Sequence, residues 1–108
     1  MINKVNTIRI YNLSPHLEHD ECVSIFNAAG IYMILDVNSP LPGTNLDRTD
    51  PQGSYHEGYL KQVFGVMEEF KAYPNTLAFF AGNEVINEQA SYNCPAYIRV
   101  CHLILRCA

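Results

Sequence analysis

Three short apolar runs alternate with two stretches of helical periodicity, and this alternation constrains the fold more than any other feature of the chain. The runs are Thr7–Tyr11 (TIRIY), Ile31–Val37 (IYMILDV) and Thr76–Ala81 (TLAFFA). The two longer runs have almost no polar alternation, which predicts strands buried on both faces, as in parallel sheets covered by helices. We therefore predict an α/β fold made of two βαβ units with right-handed crossovers.

The first helical stretch has an acidic start and an apolar stripe at helical spacing. Gly30 stands where a helix-terminating glycine belongs. Because Cys22 falls on this stripe, it is either a buried thiol or half of a disulfide whose partner lies outside the chain. The predicted stripe consists of Cys22, Ile25, Phe26 and Ala29.

The second helical stretch is bounded by recognisable capping residues. Ser54 and Glu57 have the spacing of a capping box, and Glu57 can pair with Lys61 one turn later. Pro74 is expected to end the helix. The predicted apolar stripe consists of Leu60, Val63, Phe64, Met67 and Phe70.

Three parallel strands leave both edges of a sheet open, and a complete (β/α)8 barrel needs about 250 residues. The chain has 108 residues, so the pattern predicts a segment of a larger fold.

The long polar connection Asn38–Gly53 contains three prolines and two glycines. Connections of this length without structure of their own are often either functional or disordered.

Ligands of parallel α/β folds bind at the carboxyl ends of the strands. Acids, amides and an aromatic residue collect at those ends, and such a set suits a neutral polyhydroxyl ligand. The residues are Arg9, Tyr11 and Asn12 after the first strand, Asp36 and Asn38 after the second, and Gly82–Asn87 after the third.

Glu84 directly follows a strongly apolar strand. Loss of hydration there would disfavour its charged form and suit it to general acid catalysis; alternatively, Asn83 simply caps a helix that begins here. Asp36 is a candidate second carboxylate near Glu84. Its alternatives are pairing with Arg9, bonding to a loop amide or binding substrate, and Tyr11 is equally an ordinary strand aromatic.

Composition and spacing argue against several other functions. The net charge is −4 and no basic run stands out, so we predict no nucleic-acid partner. No nucleotide motif and no metal-binding histidine spacing is present, so we predict neither cofactor nor metal. A metal site made of Cys94, Cys101, His102 and Cys107 has little support. We interpret the histidines as surface or capping residues; they are His16, His19, His56 and His102.

Three stretches, Asn6–Asn12, His19–Gly43 and Tyr73–Asn87, resemble the fungal β-1,3-glucanosyltransferases of glycoside hydrolase family 72. The likeness runs from about Val5 to Arg99. It implies a partial (β/α)8 barrel that holds roughly strands two to four, with residues 1–99 in the barrel and residues 100–108 as a divergent tail.

The resemblance also implies a retaining transglycosylase that cuts β-1,3-glucan and elongates another glucan chain. In this likeness Glu84 takes the acid/base role, and Tyr11, Asp36 and Asn83 match sugar-contacting positions. Arg9 matches a residue of the cleft floor. The disulfide partner expected for Cys22 would lie upstream.

The family's nucleophile is a glutamate on the seventh strand, so we expect the isolated chain to be inactive. The resemblance implies a cell-surface parent attached to the plasma membrane by a GPI anchor that this chain lacks. Two alternatives are a non-catalytic β-glucan-binding remnant and a non-functional truncated product.

Overall fold

The protein is described by a computed structural model that covers residues 4–87, 89–92 and 94–99. The predicted order of strand, helix, strand, helix, strand is confirmed, with an additional short helix in the long connection. The elements are β1 Thr7–Ile10, α1 Asp20–Ala28, β2 Tyr32–Asp36, α2 Pro51–Ser54, α3 Glu57–Phe70, β3 Thr76–Phe80 and a 3₁₀ helix Gln89–Ser91.

The three strands form one parallel sheet in the order β1-β2-β3. In its register Arg9 lies opposite Ile34, and Asp36 lies opposite Phe80. The prediction of an α/β fold with adjacent parallel strands is therefore confirmed. Sequential parallel strands require crossover connections, and α1 and α3 supply them.

Only one face of the sheet is covered. Met33 and Leu35 of β2 are fully buried in the same core cluster as Val23 of α1 and Val63 of α3. On the other face Tyr32 is 49% exposed. The prediction that the strands are buried on both faces is thus wrong, because both crossover helices pack on the same side.

The first helix packs through a narrower face than its periodicity predicts. Val23 is its buried residue and Phe26 packs against the core, whereas Ile25 is 60% exposed. The Cys22 thiol is free and exposed, so the buried-thiol interpretation is wrong. The helix is only nine residues long and contacts the sheet along one row, which leaves the flanking positions in solvent.

The glycine stop after this helix is confirmed. Gly30 adopts a φ of 71°, the left-handed conformation that glycine accepts without a steric penalty. The amide of Ile31 donates to the carbonyl of Phe26 at 2.9 Å, and the amide of Gly30 donates to Asn27 at 3.0 Å. This pair of bonds is a Schellman motif, which satisfies the last carbonyls of the helix.

The second long helix, α3, begins differently from the prediction. Its N-cap is His56, whose ring Nδ1 accepts from the amide of Gly58 at 3.0 Å. Ser54 instead ends α2, so the capping box with Glu57 is wrong. The ion pair from Lys61 to Glu57 is present at 2.8 Å.

The core face of α3 is rotated from the predicted stripe. Phe64 is 43% exposed and Leu60 is half-buried, whereas Val66 is fully buried. The apolar residues surround more of this helix than the sheet can cover, so periodicity alone does not select the buried face. The buried residues are Tyr59, Val63, Val66, Met67 and Phe70.

The connection after β2 is folded onto the end of the sheet. Asn38 and Ser39 are buried, and so is Leu46 further along. The side-chain oxygen of Asn38 accepts from the amide of Leu46 at 3.4 Å, and the amide of Ser39 donates to Thr44 at 3.0 Å. Among the described residues, no helix is long and apolar enough to cross a membrane.

Two phenylalanines of α3 test which face carries the core. Phe70 is 1% exposed, so Phe70→Ala should leave a cavity and lower the free energy of unfolding by about 3–5 kcal/mol. Phe64→Ala, on the exposed face, should cost less than about 1 kcal/mol. Urea unfolding of the 108-residue chain and both variants measures the difference. Equal losses would contradict the described helix orientation.

Candidate functional site

Arg9 joins the carboxyl ends of all three strands. Its Nη2 donates to Asp36 Oδ2 at 2.9 Å, to Asp36 Oδ1 at 3.2 Å, and to Asn83 Oδ1 at 2.9 Å. Arg9 lies on β1, Asp36 ends β2, and Asn83 lies three residues beyond β3. The predicted pairing of Arg9 with Asp36 is therefore present, and it is extended by an amide from the third strand end.

Two aromatic rings hold the Arg9 guanidinium in place. Its central carbon lies 3.9 Å from the ring centroid of Phe80 and 4.6 Å from that of Tyr11. Both distances are within the range of cation–π attraction. Tyr11 is 58% exposed and lies beyond the last residue of β1, so it is not an ordinary aromatic of the strand. Its ring is available to a ligand.

Asp36 is a buried carboxylate, with only 1% of its surface exposed. Burial raises the pKa of Asp36 above its ordinary value, and the hydrogen bond and charge of Arg9 offset only part of that rise. Both carboxylate oxygens are engaged by Arg9. A side chain held in this way orders its neighbours but is poorly suited to attack a substrate.

A cavity of about 180 Å³ opens beside this network. It is smaller than the roughly 300–1,000 Å³ typical of sites that enclose a whole drug-sized ligand. Its size and its mixture of amide, carboxylate and apolar side chains suit one ring of a longer ligand. The lining residues are Tyr11, Asp36, Asn38, Ser39, Pro40, Asn45, Leu46, Asn83 and Val85.

The turn after β3 makes contacts at several successive residues. A Cβ at Gly82 would lie 2.8 Å from the side chain of Val85, which is itself buried. Asn83 is bonded to Arg9, as described above, and the carbonyl of Glu84 accepts from Arg48 Nη1 at 3.2 Å. Two arginines from other parts of the chain therefore contact this turn, one at the Asn83 side chain and one at the Glu84 carbonyl.

The Glu84 side chain is exposed, so the predicted loss of hydration is wrong. The strand β3 ends at Phe80, and Glu84, four residues later, adopts a φ of 50° in the turn that follows. Residues 82–87 are not helical, so Asn83 does not cap a helix that begins at this turn.

Glu84 lines a second cavity, of about 250 Å³, next to the first. The two cavities share Asn45, Leu46, Asn83 and Val85. Glu84 is thus separate from the cavity of Tyr11 and Asp36 but adjoins it. A ligand longer than one ring could contact both.

Sequence reasoning did not single out Asn45, Arg48 or Ser39. All three belong to the Asn38–Gly53 connection, whose length left a functional and a disordered loop as alternatives. Their individual positions depend on how this connection folds back over the strand ends, and no local motif indicates that folding.

Metal and cysteine chemistry has little structural basis in the described residues. No group of three or more histidine, cysteine or acidic side chains gathers in ranges 4–87, 89–92 and 94–99. Cys94 is a free, buried thiol. The tail at residues 100–108 lies outside the described residues, and so do Cys101, His102 and Cys107.

The interpretation of the histidines can be checked at three of the four positions. His56 is a capping residue, as predicted, and His16 is exposed. His19 is half-buried against the ring of Phe70 at 4.9 Å, with its Nδ1 3.5 Å from Glu69. His19 is the N-cap residue of α1, as the capping alternative predicted, but its side chain makes no capping bond and packs against α3 instead.

A parallel α/β sheet with carboxylates, amides and an aromatic ring at its strand ends defines the class of α/β proteins that bind a polar ligand at that edge. The glucanosyltransferase family model, glycoside hydrolase family 72, matches residues 2–106. The chain belongs to this family.

Curated relatives share much of this sequence. The 1,3-beta-glucanosyltransferase gel2 of Aspergillus fumigatus is 76% identical over 95 residues, which are 88% of this chain and 20% of gel2. The 1,3-beta-glucanosyltransferase GAS4 of Saccharomyces cerevisiae is 51% identical over 96 residues, again 88% of this chain and 20% of the relative. The chain spans about a fifth of the length of these relatives.

Solved structures have the same arrangement of elements. A mutant of Saccharomyces cerevisiae Gas2p in complex with laminaritetraose and laminaripentaose has a TM-score of 0.81 and 28% identity. The similarity covers 91% of this chain and 22% of that one. Gas2p in complex with laminaritriose and laminaritetraose also has a TM-score of 0.81, at 29% identity, over 90% of this chain and 22% of that one.

The raised pKa of Asp36 predicts a pH dependence of stability. The folded chain holds a proton on Asp36 at pH values where the unfolded chain, with an ordinary pKa of about 3.9, has lost it. The contribution of Asp36 to stability should be complete below about pH 3.9 and should decline as the pH rises through the folded pKa.

Asp36→Asn removes this titration and provides the reference. We expect the free energy of unfolding of the 108-residue chain, relative to Asp36→Asn, to fall between about pH 3 and pH 7. Urea unfolding at a series of pH values measures it. A difference that grows with pH would mean that the Arg9 pair outweighs burial.

Proposed function

We propose that this chain is part of the catalytic (β/α)8 barrel of a retaining β-1,3-glucanosyltransferase, in which it supplies roughly strands two to four. Residues 1–99 would belong to the barrel and residues 100–108 to a divergent tail. The observation that carries the proposal is the position of Glu84, on a rigid turn at a strand's carboxyl end and beside the Tyr11 cavity. Family membership and the names of the relatives support it.

Glu84 is proposed as the acid/base residue. It would protonate the leaving glycosidic oxygen and later deprotonate the incoming hydroxyl of the acceptor glucan. The Glu84 carboxyl lies in an open cavity. In this proposal, the remainder of the barrel and the bound glucan cover the carboxyl and exclude water from it.

Asn83, Tyr11 and Asp36 are proposed to bind sugar, with Arg9 below them as the floor of the cleft. The Oδ1 of Asn83 accepts from Arg9, which leaves Nδ2 to donate to a sugar hydroxyl. Tyr11 offers an exposed ring face for stacking. Asp36 lines the same cavity, and its strongest effect would be to orient Arg9.

The proposed reaction needs a second carboxylate. Retaining enzymes place their two carboxyl groups about 5–5.5 Å apart, and one of them forms the covalent intermediate. Asp36 is bound through both oxygens to Arg9, so we do not assign it this role. The nucleophile is proposed to come from another strand of the whole barrel, and the isolated 108-residue chain is proposed to be inactive.

The proposed substrate is β-1,3-glucan, as in the laminari-oligosaccharide complexes of Gas2p. On the resemblance alone, we propose that the whole protein remodels cell-wall glucan at the plasma membrane and is held there by a GPI anchor.

A chimera tests the assignment of Glu84. The matched 95 residues of Aspergillus fumigatus gel2 are replaced by those of this chain, which are 76% identical. Glu84→Gln in this chimera keeps the shape of the side chain and removes the transferable proton. We expect transglycosylation rates on laminari-oligosaccharides, measured by chromatography of the products, to fall by roughly 10²–10⁴-fold.

Glu57→Gln is the matched control, because Glu57 is an exposed glutamate at the start of α3. Its transfer rate should equal that of the unaltered chimera. A Glu84→Gln chimera that retains full activity would refute the acid/base assignment.

The isolated chain tests whether the proposed nucleophile lies outside these residues. Incubation with laminaripentaose should give no longer oligosaccharides, since the chain lacks the proposed nucleophile. Longer products would show that a second catalytic carboxylate lies within these residues.

The intact Tyr11 cavity favours a second activity for the isolated chain, namely weak glucan binding. Calorimetric titration with laminaripentaose should detect this binding at millimolar sugar, and Tyr11→Ala should remove it. Tyr92→Ala, which alters a tyrosine that is 66% exposed and lines a different cavity, is the control. Absence of heat in the unaltered chain would rule this second activity out.

A further inference from the structure

We propose that Arg48 is a positioning residue that holds the main chain of Glu84 in its left-handed conformation and thereby aims the acid/base carboxyl. This proposal rests on the function proposed above for Glu84. Arg48 belongs to the connection after β2, and no feature of the sequence pattern indicates that it meets the turn after β3.

The first observation is the backbone of Glu84. Its φ of 50° is the only positive value of a non-glycine residue in the part of the chain that the structure describes. The other two positive values belong to Gly30 and Gly43. A side chain with a Cβ rarely adopts this conformation, and it persists where neighbouring groups hold it.

The second observation is the contact that Arg48 makes there. Its Nη1 donates to the carbonyl oxygen of Glu84 at 3.2 Å. A guanidinium donor forms a charge-assisted bond, which is stronger than a bond between neutral groups. Because the left-handed turn points this carbonyl toward Arg48, the bond favours that turn over an extended main chain.

The third observation is that Arg48 is itself anchored. Its carbonyl accepts from the thiol of Cys94 at 3.7 Å, and Cys94 is fully buried. On the other side, Leu46 is buried, and the Asp47 carboxylate accepts from the amide and the hydroxyl of Thr49 at 2.8 Å and 2.6 Å. The guanidinium therefore projects from an ordered segment.

The remaining contacts of the turn separate the role of Arg48 from that of Arg9. Arg9 bonds the side chain of Asn83, whereas Arg48 bonds Glu84 itself through the main chain. A guanidinium bound directly to a carboxylate would favour its charged form. A guanidinium bound to the carbonyl instead fixes the main chain from which the Glu84 side chain projects.

Substitution by lysine and by methionine separates hydrogen bonding from packing. Both keep an unbranched stem, but only lysine keeps a charged donor. In the gel2 chimera, Arg48→Met should lower kcat by roughly 10- to 100-fold with KM changed by less than about twofold. Arg48→Lys should retain most of the kcat. Lys61→Met, which removes an exposed cation on α3, should change neither constant.

Equal losses in the lysine and methionine variants would show that the Arg48 stem acts by packing, and would overturn the proposal. An unchanged kcat in Arg48→Met would also overturn it. If Glu84→Gln is inactive while Arg48→Met is fully active, only the role of Arg48 fails. If Glu84→Gln is active, the acid/base assignment and the role of Arg48 fail together.

If Arg48→Met folds poorly in the chimera, the contact can be tested in the isolated chain without measuring catalysis. The amide of Val85 belongs to the peptide unit whose carbonyl Arg48 binds. In the 108-residue chain, Arg48→Met should shift the Val85 amide resonance, and Arg48→Lys should restore most of the shift. An unshifted resonance in Arg48→Met would overturn the contact itself.

Discussion

The guanidinium of Arg9 is the interaction on which the arrangement of the strand ends depends. It bonds both carboxylate oxygens of Asp36, which is buried, and the same nitrogen orients the amide of Asn83. Removing one partner of a buried pair typically costs about 3–5 kcal/mol, since the other charge is left without compensation. The stacked rings of Tyr11 and Phe80 complete its surroundings. Polar groups at the ends of three strands are thus positioned by one side chain.

The strand register that brings these residues together also shows which side chains lie on the face of the sheet that the helices leave uncovered. Arg9 pairs with Ile34 and Asp36 with Phe80, so all four side chains project from the face opposite the helices. Tyr32 extends the same row and is 49% exposed. A parallel sheet normally has both faces covered. In the proposed barrel, this face would line the interior, with its polar pair at the end where substrate binds.

The sequence predicts the type and order of the main elements because hydrophobic periodicity is a local property. The strand-end rule also selects Arg9, Asp36 and Glu84 as candidate site residues before any coordinates are known. Hydrophobic periodicity cannot show whether Phe64 or Val66 of α3 is buried, since both lie among apolar neighbours. Only packing against the sheet decides which of them enters the core. Contacts between segments that are distant in sequence are still harder to predict. Arg48 and Glu84, for example, are 36 residues apart.

The proposed chemistry explains why the turn holds the Glu84 main chain rather than its carboxyl. An acid/base residue must give up a proton in one step and recover it in the next. A carboxylate that accepts fixed hydrogen bonds has its charged form stabilised and gives up this reversibility. Arg9 bonds both carboxylate oxygens of Asp36 and offsets part of the rise in pKa that burial causes, whereas Arg48 and Arg9 hold Glu84 through its carbonyl and its neighbour. The same residue type thus binds one carboxylate directly and positions the other through its main chain.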